Sequence, residues 1–240
     1  MPGLFRRKKK ETIPFCSAVV VAAGSSTRMG QDKIMLELAE VPVIVHTLRA
    51  LDDCPYIHEI VVVTRDDLLV PVSKLCAKFG LTKVCKVVVG GATRAKSVYM
   101  GIQEVSKQAE LIAIQDGARP LVSQSVLQEV ILTAGKCGAA APAIPVKDTI
   151  KQAENGVVTE TPDRVKLFAV QTPQVFEADL IRAALHKAVD ENLPITDDCS
   201  AVESLGMKVT LTQGADDNIK ITTPADLVLA EALLAWRIGK

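Results

Sequence analysis

Short apolar runs alternate with amphipathic stretches along the first half of the chain. Residues 18–23, 60–64, 84–89 and 111–115 are rich in valine and isoleucine. Runs of that length and composition predict buried strands. Between them, residues 41–51, 67–79 and 94–105 carry apolar side chains at helical spacing. The β-α-β alternation predicts an α/β fold, a mostly parallel sheet flanked by helices. Ligands of such sheets sit beyond the carboxyl ends of the strands, so the loops there are the places to search for chemistry.

The middle of the chain departs from this rhythm. Residues 149–153 and 157–161 flank Glu154-Asn155-Gly156. Asn-Gly accepts positive φ at both turn positions and predicts a β-hairpin. A hairpin here interrupts the alternation and is expected to project as a β-arm over about 148–165. A strand near 167–171, helices over 178–189 and 197–205, and a strand over 208–213 follow. The last helix opens on Thr223-Pro224-Ala225-Asp226. That is a cap residue, a proline at the first helical position and an acid in the first turn.

Composition narrows the classes. The chain has 240 residues, 48% of them apolar, enough for one α/β domain with a substantial core. Lys and Arg balance Asp and Glu at 28 each, which argues against nucleic acid as the main partner. Six scattered cysteines form no C-x-x-C pair and no metal-ligand spacing, as expected of a reducing, cytoplasmic compartment. The basic run Arg6 to Lys10 followed by an apolar stretch has the outline of a secretory signal. Glu11, Thr12 and Pro14 interrupt the join, so residues 1–14 read as a solvated tail and 15–240 as the folded domain. No other apolar run approaches the roughly 20 residues of a membrane span, and no membrane partner is expected.

The strongest local signal follows the first strand: Ala22-Ala23-Gly24-Ser25-Ser26-Thr27-Arg28-Met29-Gly30. Small residues let a phosphate approach backbone N–H groups, and Arg28 and Lys33 add positive charge. The glycine spacing fits neither the Walker loop nor the dinucleotide fingerprint. Gly90-Gly91 leaves the third predicted strand for a helix; a tight turn would account for the glycines, and Ser97 adds a hydroxyl. Asp116 ends the fourth strand. A lone acid there could cap a helix. Arg119 reads equally as support for that loop or as a substrate contact. Asp217 and Lys220 precede the last helix, where a solvated loop would suffice.

Taken in order, these segments resemble one family. The loop resembles that of sugar-nucleotide transferases. Further motifs are Gly90-Gly91-Ala92-Thr93-Arg94-Ala95-Lys96-Ser97, Asp116-Gly117-Ala118-Arg119-Pro120, Pro145-Val146-Lys147-Asp148-Thr149, Asp163-Arg164, Gln171-Thr172-Pro173-Gln174, Thr196-Asp197-Asp198 and Asp217-Asn218-Ile219-Lys220. Together they resemble the 2-C-methyl-D-erythritol 4-phosphate cytidylyltransferase family of non-mevalonate isoprenoid synthesis, over nearly everything but the basic tail.

The resemblance implies a Rossmann-like nucleotidyltransferase fold and transfer of CMP from CTP to 2-C-methyl-D-erythritol 4-phosphate, giving 4-diphosphocytidyl-2-C-methyl-D-erythritol and pyrophosphate, with Mg²⁺ as the divalent metal. It implies Arg28, Lys33 and Lys220 as catalytic cations. It gives Ala22, Ala23, Gly24, Gly91, Arg94, Ser97, Asp116 and Gly117 to the nucleotide, with Asp116 also at the metal. It gives Arg119, Thr149, Arg164, Thr172, Thr196 and Asp217 to the polyol phosphate. It further implies a homodimer in which the arm carries Arg164 into the partner's site. Three positions depart from the pattern: Asp32 where many relatives have proline, Ile34 where they have glutamine, and Ala92 where some carry an acid. The alternative substrate is ribitol 5-phosphate or another polyol phosphate.

Overall fold

A computed structural model of the chain describes residues 13–24 and 32–239. The catalytic arginine expected at Arg28 and the basic run from Arg6 to Lys10 lie outside the described residues.

Four valine- and isoleucine-rich runs form the centre of the sheet: β1 (Cys16–Ala22), β4 (Glu59–Thr64), β5 (Val84–Val89) and β6 (Leu111–Asp116). They pair in parallel in the order β6-β1-β4-β5, with Ala22 opposite Thr64 and Val21 opposite Asp116. Beyond β6 stand β11 (Gln174–Glu177), β7 (Ala139–Pro145), β10 (Phe168–Val170) and β12 (Thr210–Gln213). β11 runs antiparallel between β6 and β7; β10 is antiparallel and β12 parallel to β7. The sheet is therefore mostly parallel, with two reversed strands. A small ribbon, β2 (Glu37–Leu38) with β3 (Val41–Pro42), precedes the first helix.

Helices cover both faces. Along β1, Cys16, Ala18, Val20 and Ala22 face one core and Val19 faces the other, as the two-residue period of a strand requires. The first core packs α1 (Val43–Asp52), α2 (Leu69–Lys78), α4 (Gln124–Cys137) and α7 (Pro224–Ile238). The second packs α3 (Arg94–Gln103), α5 (Ala178–Asp190) and α6 (Asp198–Glu203). Gly101 lets α3 lie directly on the sheet. A Cβ there would stand 2.5 Å from Val19 Cγ1 and 2.6 Å from Val63 Cγ2. That close seat aims the N-terminus of α3 at the strand ends.

The hairpin forms as the Asn-Gly signal predicts. β8 (Gln152–Glu154) and β9 (Val157–Glu160) pair antiparallel about Asn155 and Gly156, at φ 50° and 81°. Every residue of both strands is exposed, so the pair projects from the body as an arm.

Candidate active site

The carboxyl ends of β1, β5 and β6 open on a cavity of about 340 Å³. β1 contributes Ala22, Ala23 and Gly24. The turn from β5 into α3 contributes Gly91, Arg94 and Ser97. β6 contributes Asp116 and Gly117. Lys33 and Lys220 line it from segments distant in sequence. Every described residue expected to bind nucleotide, and the two lysines expected to be catalytic, thus meet in one place.

Asp116 is the acidic residue among the described lining residues, and cations surround it. Lys220 Nζ lies 2.9 Å from Oδ2, Arg119 Nε 3.5 Å from Oδ2, and Arg94 Nη2 3.8 Å from Oδ1. Burial by itself would raise the carboxyl's pKa. Lys220 and Arg94 outweigh it and hold the group below the usual carboxylate range. Among the described residues no three His, Cys, Asp or Glu side chains gather into a metal cage. Oδ1 is the less engaged oxygen, which fits one position of a Mg²⁺ whose other ligands are phosphate oxygens and water.

Lys220 owes its place to buried polar residues. Asn218 is fully buried and donates from Nδ2 to Gln171 Oε1 at 3.2 Å and to the Thr172 carbonyl at 3.1 Å. Arg119 Nη1 donates to the Asn218 carbonyl at 2.6 Å, and the Ile221 N–H to the Ala118 carbonyl at 2.9 Å. These bonds fasten the segment before α7 to the segment after β6. Arg119 is therefore a brace for that loop in this structure. Arg94 is held by Asp198, whose Oδ2 lies 2.7 Å from Nη2. Asp198 is fully buried, and its carboxyl is pushed up by that burial against the pull of Arg94.

The turn below α3 is built by close approach. A Cβ on Gly90 would fall 2.7 Å from Ser97 Oγ and 2.8 Å from Ala23 Cβ. Ser97 Oγ stands 2.9 Å from the Thr93 carbonyl and 3.2 Å from that of Gly91, and Thr93 caps α3 by accepting from the Lys96 N–H.

The comparisons agree with this geometry. The family IspD, described as 2-C-methyl-D-erythritol 4-phosphate cytidylyltransferase, matches residues 16–236. The chain belongs to that family. The enzyme of that name from Caldanaerobacter subterraneus subsp. tengcongensis is 48% identical over 222 residues, 91% of this chain and 98% of the relative. The one from Desulforamulus reducens is 45% identical over 224 residues, 92% of this chain and 96% of the relative. The crystal structure of 4-diphosphocytidyl-2C-methyl-D-erythritol synthase from Anaerococcus prevotii superposes with a TM-score of 0.83 at 31% identity, covering 93% of this chain and 97% of that one. As a member of the cytidylyltransferase family the chain is a nucleotidyltransferase that uses CTP for cytidylyl transfer in isoprenoid synthesis.

The residues expected at the polyol phosphate are spread more widely than the cytidylyltransferase's nucleotide set. Thr172 is buried beside the site, where its Oγ1 accepts the Asp116 N–H at 3.1 Å. Thr149 and Arg164 are exposed at the base of the arm, with Arg164 Nη1 donating to the Lys147 carbonyl at 2.8 Å. Thr196 is exposed ahead of α6. Asp217 is not among the residues that line the cavity and pairs with Arg237 at 2.6 Å. Gln171, Gln174, Asp198 and Asn218 stand inside the motifs with no role that the sequence assigns. Gln174 receives the N–H groups of Asp198 and Cys199, both at 3.0 Å, and so seats α6. Their only sequence signal is a polar side chain in an otherwise structural run.

Proposed function

We propose that the cavity holds CTP with its triphosphate between the Gly24 segment, Lys33 and Lys220, and its base toward the Gly91–Ser97 turn. A phosphate oxygen of 2-C-methyl-D-erythritol 4-phosphate attacks the α-phosphorus. The bond to the bridging oxygen breaks and pyrophosphate leaves with that electron pair. The nucleophile is already an anion, so no base has to take a proton. Arg28 and Lys33 neutralise the β- and γ-phosphates, and Lys220 stabilises the charge that builds at the α-phosphorus. Asp116 is the residue that would hold Mg²⁺, which when bound offsets triphosphate charge. Thr149, Arg164, Thr172, Thr196 and Asp217 take the polyol phosphate.

The observation that carries this reading is the convergence of Lys33, Lys220, Arg94 and Asp116 on one cavity at the strand ends. The reading includes a homodimer. The arm leaves Val157 68%, Val158 54% and Val165 85% exposed, and a lone two-stranded ribbon is marginal in water. A second subunit that packs against the arm would cover these valines and receive Arg164. Residues 15–240 act as one catalytic domain, and we place the chain in the cytoplasm. All six cysteines are free, and no described helix is long and apolar enough to cross a membrane.

Replacing Lys220 tests the mechanism. Lys220→Ala is expected to lower kcat by on the order of 100-fold, the effect of deleting a single transition-state donor. A change confined to KM would assign Lys220 to ground-state binding and overturn its role here.

A further inference from the structure

Arg65 follows the last residue of β4, and the parallel register of β1 with β4 sets it beside the exit of β1, because Thr64 pairs with Ala22. Its guanidinium reaches Gly24 and Asp32. Nη1 donates to the Gly24 carbonyl at 3.2 Å, and Nη2 donates to Asp32 Oδ2 in a short ion pair. Nε and Nη2 also grip Asp67 as a fork, at 3.0 and 2.8 Å. Gly24 is where the chain leaves β1, and Asp32 is where it returns, next to Lys33 in the cavity.

The Asp32 end is set firmly. The Asp32 carbonyl accepts the Met35 and Leu36 N–H groups at 2.9 and 3.2 Å. Its side chain is 18% exposed, and among the described residues its Oδ1 is buried without a hydrogen-bond partner. Arg65 pairs with the other carboxylate oxygen, Oδ2. A single planar fork joins a backbone carbonyl to a carboxylate, which an ammonium cannot do with the same geometry.

We propose that Arg65 is a positioning residue for nucleotide binding, a clamp that joins Gly24 to Asp32 and so fixes Gly24 and Lys33 at the cavity before CTP arrives. The proposal rests on the reading of this cavity as the CTP site. Holding Gly24 and Lys33 in place removes ordering that binding would otherwise have to supply. The clamp acts on the nucleotide alone, since none of its partners stands among the residues assigned to the polyol phosphate.

The test uses the full-length enzyme. CTP binding is measured by calorimetry, KM is measured for each substrate separately, and melting temperature is recorded. Arg65→Ala is expected to weaken CTP binding and raise KM for CTP by roughly tenfold or more, in line with the cost of misplacing a positioning group. KM for the polyol phosphate and the melting temperature are expected to stay near those of the parent. Asp67→Asn, which touches only the outer side of the fork, is expected to leave both constants alone. Adding Asp32→Ala to Arg65→Ala should cost far less than the two single effects combined, because the pair acts as one unit. An unchanged CTP affinity in Arg65→Ala overturns the clamp, as does an equal loss for both substrates together with a lower melting temperature. Independent, additive effects of Arg65 and Asp32 overturn it too. Should Arg65→Ala not fold, Arg65→Lys takes its place with the same outcomes. Failure of the parent enzyme to bind CTP would instead remove the assignment of the cavity.

Discussion

Asp116 joins more of the site than any other residue, since Lys220, Arg119 and Arg94 all approach its carboxylate. Its pKa is lower in the fold than in the unfolded chain, so the unfolded state binds the proton first as pH falls. The stability it contributes is therefore full at neutral pH and is lost in acid, as pH drops below the ordinary carboxylate value toward the folded one. Denaturant unfolding followed across the acid range should show Asp116→Asn with a flatter fall in stability than the parent; an identical fall would contradict the assignment. At this scale the sequence was informative about cations and glycines and silent about their supports. Arg119 was open between loop support and substrate contact, and its bond to the Asn218 carbonyl supports the former. The burial of Asn218, Gln171 and Asp198 could not be read, because a buried amide or carboxylate is written in the same letters as a surface one. Lys220 near Asp116 was likewise beyond periodicity: the sheet and the segment before α7 bring them together, and only the family resemblance gave that lysine a role.

Elements were legible where local pattern and final environment agree. β1, β4 and β6 are short apolar runs and are buried as expected; β5 is a strand as its valines predict but lies at the sheet edge, half-exposed rather than buried. The Asn155-Gly156 turn and the Thr223 cap dictate their own backbone. The capping box is present, with Asp226 Oδ2 accepting the Thr223 N–H at 2.8 Å. β7 was not legible: Ala139–Pro145 is alanine-rich with two prolines, residues that disfavour a strand, and the pairing of β11 and β12 overrides that preference. β11 has only four residues and runs against the parallel rhythm. α4 does carry a helical stripe, Val126, Leu127, Val130, Ile131 and Ala134, although the strand–helix alternation did not single it out. α3 gives the sharpest prediction for an element, because its seat on the sheet depends on Gly101. Gly101→Ala is expected to lower stability by about 1–3 kcal/mol through overpacking against Val19 and Val63, read as a shift in denaturant midpoint. A midpoint equal to the parent's would mean that α3 is not seated as described.

At the scale of the whole molecule, the exposed valines of the arm motivate the proposed homodimer. If each site borrows Arg164 from its neighbour, two inactive variants can complement each other. Arg28→Ala and Arg164→Ala, denatured and refolded together, should recover roughly a quarter of parental activity, because half the dimers are mixed and each mixed dimer has one intact site. No recovery would place both residues within one subunit. The account as a whole rests on what the chain consumes. Incubation with CTP, Mg²⁺ and a panel of polyol phosphates, with and without excess EDTA, and with pyrophosphate as the readout, measures that directly. The account predicts metal-dependent pyrophosphate release with 2-C-methyl-D-erythritol 4-phosphate, in step with formation of its cytidine diphosphate ester. Release with ribitol 5-phosphate and none with methylerythritol phosphate would contradict it.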